Sequence, residues 1–221
     1  DQALAMTSSF SCMLLASFLI FTRQHEDTYH LESLVKNGEL LLKDVANQVD
    51  SILDFDFNRV VYLGSGLLGQ ISHEAALKML ELTAGKMASM YESSLGFRHG
   101  PKSFLDNKSI VLLSMSQDSY TRKYDIDILR EIAADASLAK VVVLTDKVND
   151  EIEELADWAI PVTFNDNKIE NDIYLALLYV MVAQIMALKK SLQLGITPDT
   201  PSATGQINRV VQGVTIHSYN K

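Results

Sequence analysis

The chain has 221 residues, of which 48% are apolar and 21% charged, the balance of a folded globular protein with room for one α/β domain plus flanking helix. A formal charge of −9 with no basic stripe argues against nucleic acid as a partner. Cys12 is the single cysteine, so an internal disulfide and a Cys-rich metal cluster are excluded and a reducing cytoplasm is the expected compartment.

The chain opens in helical pattern without a methionine. Helices are predicted over about Gln2 to Arg23 and His30 to Leu53, the second with Leu31, Leu34, Val35, Leu41, Val45 and Val49 near helical spacing. The run Phe10 to Phe21 is about a dozen residues, short of the roughly 20 that cross a bilayer, and reads as a buried helix; no membrane association is expected. It lacks the basic start and small-residue cleavage site of a signal peptide.

Arg59 to Leu63 is a β-branched run ending in Gly64-Ser65-Gly66, and a helical segment follows to about Ala84. Met87 to Tyr91, Ile110 to Met115, Val141 to Thr145 and Trp158 to Val162 are further short apolar runs bounded by turns. Helices are expected near Tyr124 to Ala136, Asp150 to Asp157 and Asn171 to Leu192. Strands alternating with helices give βαβ crossovers, hence a three-layer α/β/α fold on a five-stranded parallel sheet. The expected division is a helical segment over 1–53, the α/β domain over 54–195 and a tail over 196–221, with Val210 to Ile216 extended.

Ligands of open parallel sheets bind beyond the carboxyl ends of the strands, where a Gly-rich turn feeding a helix is a ready anion site. Gly64-Ser65-Gly66 occupies such a place, although glycine there also serves turn geometry alone. Ser114 and Ser116 add hydroxyls to the same edge or cap the next helix.

On the helix after this turn, Glu74, Lys78 and Glu81 share a stripe roughly 60° wide. The stripe is either a solvated face of Glu–Lys pairs or a charged cluster facing a cleft. Ile71, Ala75, Ala76, Leu77, Met79, Leu80 and Leu82 around the rest of the wheel favour the second reading, because a helix apolar on nearly every side is expected to be buried. A desolvated carboxylate there would suit a general base. His99, in Arg98-His99-Gly100-Pro101, falls on a turn. It and His25, His30, His73 and His217 have no metal-ligand spacing, so no metal is expected.

These segments resemble the second sugar-isomerase (SIS) domain of glucosamine-6-phosphate synthase and, more closely, the tagatose-6-phosphate ketose/aldose isomerase family, whose members include galactosamine-6-phosphate deaminases. The carrying residues are Gly64-Ser65-Gly66, His73-Glu74-Ala75-Ala76-Leu77-Lys78-Met79-Leu80-Glu81, Glu92 and Arg98-His99-Gly100-Pro101. The resemblance implies a flavodoxin-like strand order and a phosphorylated hexose or amino-hexose as substrate. It implies Glu81 as the proton-shuttling base, Lys78 near the substrate oxygens, Glu74 in support, and His99 as a ring-opening group reaching the site of a partner subunit in a homodimer. Such chemistry needs no cofactor and no metal. The substrate-binding candidates are Ser65, Gly66, Ser114, Ser116, Arg98 and Gln212. Gln212 stands where the synthase has a lysine, so a ring-opening lysine is not carried over. The resemblance also places the main phosphate-binding Ser/Thr cluster in a preceding SIS half, expected upstream of Asp1. The alternative is a non-catalytic phosphosugar-binding regulatory module, although no DNA-binding helix-turn-helix is legible in these residues.

Overall fold

The computed structural model describes residues 5–22, 28–135, 139–165, 167–202, 205 and 213–219. Two helices, α1 (Ser8–Thr22) and α2 (Thr28–Leu53), lead into the alternation β1 (Arg59–Gly64), α3 (Leu67–Leu82), β2 (Ala88–Glu92), β3 (Ser109–Ser114), α4 (Thr121–Ala133), β4 (Lys140–Thr145), α5 (Asp150–Leu155), β5 (Trp158–Pro161) and α6 (Asp172–Gln193). All strand pairs are parallel, as the sequence predicts, in the order β2-β1-β3-β4-β5, the flavodoxin-like order that the resemblance implies. The order reverses between β1 and β3, which is the topological switch point of the sheet.

Period-two alternation divides the core. Val60, Tyr62, Ile110, Leu112, Val142 and Leu144 face a cluster with α2, α3 and α6. Val61, Leu63, Val111, Leu113, Val141 and Val143 face Ile128, Leu129 and Ile132 of α4 and Ile152 of α5. Strands covered on both faces read as unbroken apolar runs, which is why they are legible without alternation.

Element ends differ from the sequence reading where side chains intervene. The helix expected from Tyr124 begins at Thr121 because the Asp118 carboxylate accepts the Thr121 N–H at 2.8 Å and its hydroxyl at 2.7 Å. The helix expected to reach Asp157 stops at Leu155, since Asp157 accepts from the Val141 N–H (2.8 Å) and Lys140 Nζ (2.6 Å) and so joins the start of β4. On α2, Leu41, Val45 and Val49 are buried as expected, whereas Val35 is exposed. α6 is long and apolar enough to cross a membrane by composition, but most of it is buried between α3, α2 and the sheet. Of the segment expected to be extended, residues 210–212 lie outside the described residues and residues 213–216 form no strand.

The first strand-to-helix turn fixes where α3 lies. A side chain at Gly64 would place its Cβ 2.6 Å from the carbonyl carbon and oxygen of Leu68, and Gly66 has φ 57° in open space. Glycine is therefore required for close approach at the first position and for backbone conformation at the second. Gly64→Ala is expected to cost about 2–3 kcal/mol, more than Gly66→Ala at about 1–2 kcal/mol, measured as the change in denaturant midpoint at constant slope.

Candidate active site

α3 lies on β1 and β2 with α6 against its flank. It runs against the direction of β2: the Ser89 hydroxyl donates to the Ala76 carbonyl at 3.0 Å, and the His73 ring stacks on Tyr91 at 4.1 Å. Ile71, Ala75, Met79 and Leu82 enter the core. The helix is not buried on every side, contrary to the expectation from its wheel: Leu77 and Leu80 are 38% and 45% exposed. The apolar residues exceed what the sheet edge and α6 can cover, and His73, Leu77 and Leu80 make up the outer face.

The charged stripe lies beside that outer face and is drawn inward. The side chain of Lys78 is only 4% exposed, against 12% for Glu74 and 27% for Glu81. Lys78 Nζ donates to Glu81 Oε2 at 2.5 Å and lies 3.4 Å from Glu74 Oε1. One buried ammonium is thus clamped by two carboxylates, each about one helical turn from it on either side, which separates the cluster from a solvated row of i,i+4 pairs. Burial pushes the Glu74 carboxyl up against the opposing pull of Lys78. Among the described residues Lys78 is the only hydrogen-bond partner of the Glu81 carboxylate, whose other oxygen has no protein partner there.

His99 ends a 3-10 turn, Gly96–His99, beyond β2, and its side chain is exposed while Phe97 anchors the turn in the core. Glu131 of α4 holds the turn from outside, accepting from Arg98 Nε at 2.6 Å and Lys102 Nζ at 2.9 Å, which pull its carboxyl down. Arg98, a substrate-binding candidate, thus makes a partly exposed ion pair through its Nε. Glu81 sits five residues past Ala76 toward the amino end of β2, whereas His99 lies beyond its carboxyl end. The helix and strand rises separate Glu81 from the end of β2 by about 17 Å. The two residues are not brought together within one chain.

Two hydroxyls of the sheet's carboxyl edge, those of Ser65 and Ser116, have partners of their own. Ser65 Oγ donates to Asp125 Oδ1 at 2.6 Å, Ser116 Oγ donates to Asp172 Oδ2 at 2.5 Å, and Ser114 is buried as the last residue of β3. Gly66 caps α3 with no side chain to offer. Gln212 lies outside the described residues. Sequence reasoning missed Asp125, which also accepts Ser94 Oγ at 2.6 Å and the Ser116 N–H at 3.0 Å, and Arg122, which donates to Asp146 at 2.9 Å, Thr145 Oγ1 at 3.0 Å and the Ser116 carbonyl at 3.0 Å. A signal for Asp125 exists: it continues the buried stripe of Ile128, Leu129 and Ile132 on α4, where an apolar residue is expected.

Removing the clamped cation leaves two carboxylates facing one another near the core. Lys78→Met is expected to lower stability by about 3 kcal/mol near neutral pH. The Glu74 carboxyl protonates more readily in the folded than in the unfolded chain, so acidification through the carboxylate range relieves the repulsion. Denaturant unfolding across that range checks this; a loss that grows toward acid pH would contradict the assignment.

Comparison with known proteins gives this geometry a family. The SIS domain model matches residues 55–192. A curated relative, the D-galactosamine-6-phosphate deaminase AgaS of Shewanella sp. strain ANA-3, is 41% identical over 221 residues, all of this chain and 53% of its own length. A solved Clostridium novyi NT structure, provisionally named a tagatose-6-phosphate ketose/aldose isomerase, superimposes with TM-score 0.94 at 40% identity, over 99% of this chain and 56% of its own. The tagatose-6-phosphate ketose/aldose isomerase structure from Escherichia coli gives 0.85 at 34% identity, over 100% and 56%. The chain spans about half the length of the curated relatives it matches. With the doubly wound sheet and the Glu74–Lys78–Glu81 helix in the matched span, this chain belongs to the SIS domain family.

Proposed function

We propose that this chain carries the proton-transfer half of a phosphosugar active site, in an aldose/ketose isomerase or isomerising deaminase acting on a galactosamine 6-phosphate or tagatose 6-phosphate type of substrate. The observation that carries the reading is the buried lysine clamped between two carboxylates, the outer of which has one oxygen without a protein partner among the described residues. The names of the relatives support the substrate class.

In this reading, taken from the aldose or aldosamine side, the open ring presents a carbonyl at C1 and a C–H at C2; a ketose such as tagatose passes through the same steps in reverse, starting from its C2 carbonyl and a C1 hydrogen. Glu81 takes the C2 proton, the electron pair moves onto the C1 oxygen as an enediol or enolamine forms, and Glu81 returns the proton to C1. Lys78 supports the developing negative charge on oxygen and holds the Glu81 carboxylate in place; Glu74 balances the lysine. When C2 bears nitrogen, the proton shift leaves an imine at C2. Water adds there, ammonia leaves, and the product is the 2-ketose phosphate. Deamination and isomerisation then share one base, which accommodates both names found among the relatives. Residues 54–195 form the module that carries this chemistry, flanked by residues 1–53 and 196–221. His99, at the opposite end of β2 from Glu81, serves the site of a two-fold related partner by assisting ring opening. Isologous two-fold contacts make such sharing natural.

Glu81→Gln in the complete enzyme is expected to reduce exchange of the substrate's C2 hydrogen with solvent by at least about a thousandfold while leaving phosphosugar affinity nearly unchanged. Tritium or deuterium washout measures the first and equilibrium binding the second. Exchange at the wild-type rate in the variant would remove Glu81 from the mechanism, whereas absence of exchange in the wild type would favour a binding module. A second experiment mixes inactive Glu81→Gln and His99→Ala enzymes and allows subunits to exchange. Roughly a quarter of wild-type activity should return, because half the dimers are mixed and one of their two sites is intact. No recovery in mass-verified heterodimers would exclude a shared site.

A further inference from the structure

The place where an open α/β sheet takes its ligand, the crevice between the carboxyl ends of β1 and β3, is already filled. Asp125 rises into it from α4 and is fully buried. Its Oδ1 accepts Ser65 Oγ from the loop after β1 and Ser94 Oγ from the loop after β2, both at 2.6 Å, and its Oδ2 accepts the Ser116 N–H from the loop after β3 at 3.0 Å. Donors from three separate loops converge on one carboxylate, the arrangement that recognises a small oxyanion. Among the described residues no cation is paired with Asp125, so the charge is held by hydrogen bonds alone.

We infer that this crevice is an oxyanion cradle occupied by the protein's own Asp125 carboxylate, closed to the phosphate of a substrate and opened to a small oxyanion only when that carboxylate is removed. A phosphate entering with Asp125 in place would meet a buried like charge and find its donors taken. Position points the same way. From Gly66 to Glu81 α3 rises about 22 Å, several times what an extended hexose phosphate needs to reach from phosphate to C2, so a sugar anchored here could not present C2 to Glu81 of the same chain. In this reading Ser65, Ser94 and Ser116 serve Asp125 and not the substrate's phosphate. The inference concerns the cradle alone and stands whether or not Glu81 is the base.

The test soaks crystals of the complete enzyme, wild type and Asp125→Ala, in sulfate and in formate. The expected result is an anion bound to Ser65 Oγ, Ser94 Oγ and the Ser116 N–H in the variant and none there in the wild type. In solution, formate should raise the thermal midpoint of the variant by a few degrees over chloride at equal ionic strength and leave the wild type unmoved, with Ser94→Ala added to the variant weakening the effect. Should Asp125→Ala not fold in chloride, recovery of folded protein when refolded in formate supports the cradle, and no recovery overturns it. An anion against Ser65 and Ser116 in the wild type, or a folded variant that binds neither anion, also overturns it.

Discussion

The backbone contact between Gly64 and the first turn of α3 is the constraint on which the rest depends. With no side chain at Gly64, the carbonyl of Leu68 comes within what would be 2.6 Å of a Cβ, so α3 starts directly on the end of β1 and is pressed along the sheet edge. The antiparallel course against β2 follows, pinned at Ala76–Ser89 and His73–Tyr91. That course rotates Met79 and Leu82 into the core and carries Lys78 with them, so the lysine must find its counter-charges on its own helix. Burial of the ammonium is a consequence of packing, and its clamping by Glu74 and Glu81 is what makes that burial tolerable.

The two ends of the sheet are finished differently. At the carboxyl edge, Asp125, Asp172 and Arg122 bind the loops after β1, β2, β3 and β4 into one hydrogen-bonded layer, reinforced by Tyr179, whose hydroxyl donates to the Met115 carbonyl at 2.8 Å. A layer satisfied in this way is rigid, because each group lost would leave buried partners unsatisfied. It also holds the turn that bears His99, through Ser94 to Asp125 and through Arg98 and Lys102 to Glu131. The far end of α3, by contrast, has a partly exposed carboxylate with a single hydrogen-bond partner among the described residues, beside exposed Leu77 and Leu80. The hydrogen-bonded end and the partly exposed charged end are thus segregated along one helix.

α6 completes the layer over the sheet. Its apolar surface would suit a membrane by length, but α3, α2 and the sheet bury it, and its Lys190 ammonium is sheltered 4.1 Å above the Phe57 ring. Burial in turn lowers the lysine's readiness to hold its proton. α2 contributes Leu41, Val45, Val49 and Ile52 to the same core, so the helices ahead of the first strand pack as part of this layer.

The sequence by itself determined the strands, their parallel sense and the stripe of Glu74, Lys78 and Glu81, because buried parallel strands are continuous apolar runs and helical spacing puts those three residues on one face whatever surrounds them. It showed that the stripe was charged but not which member was buried. Leu77 and Leu80 look like core residues on a wheel, yet the helix meets only the sheet edge and α6, so they stay exposed while Lys78 goes inside. It placed Ser65, Ser114 and Ser116 at the sheet edge but not what their neighbours do. Asp125 lies 60 residues from Ser65, 31 from Ser94 and 9 from Ser116, and only the crossover of α4 brings its carboxylate among them. Local periodicity specifies which way a side chain faces; which partners it meets depends on how distant segments pack, and that the tertiary structure alone decided.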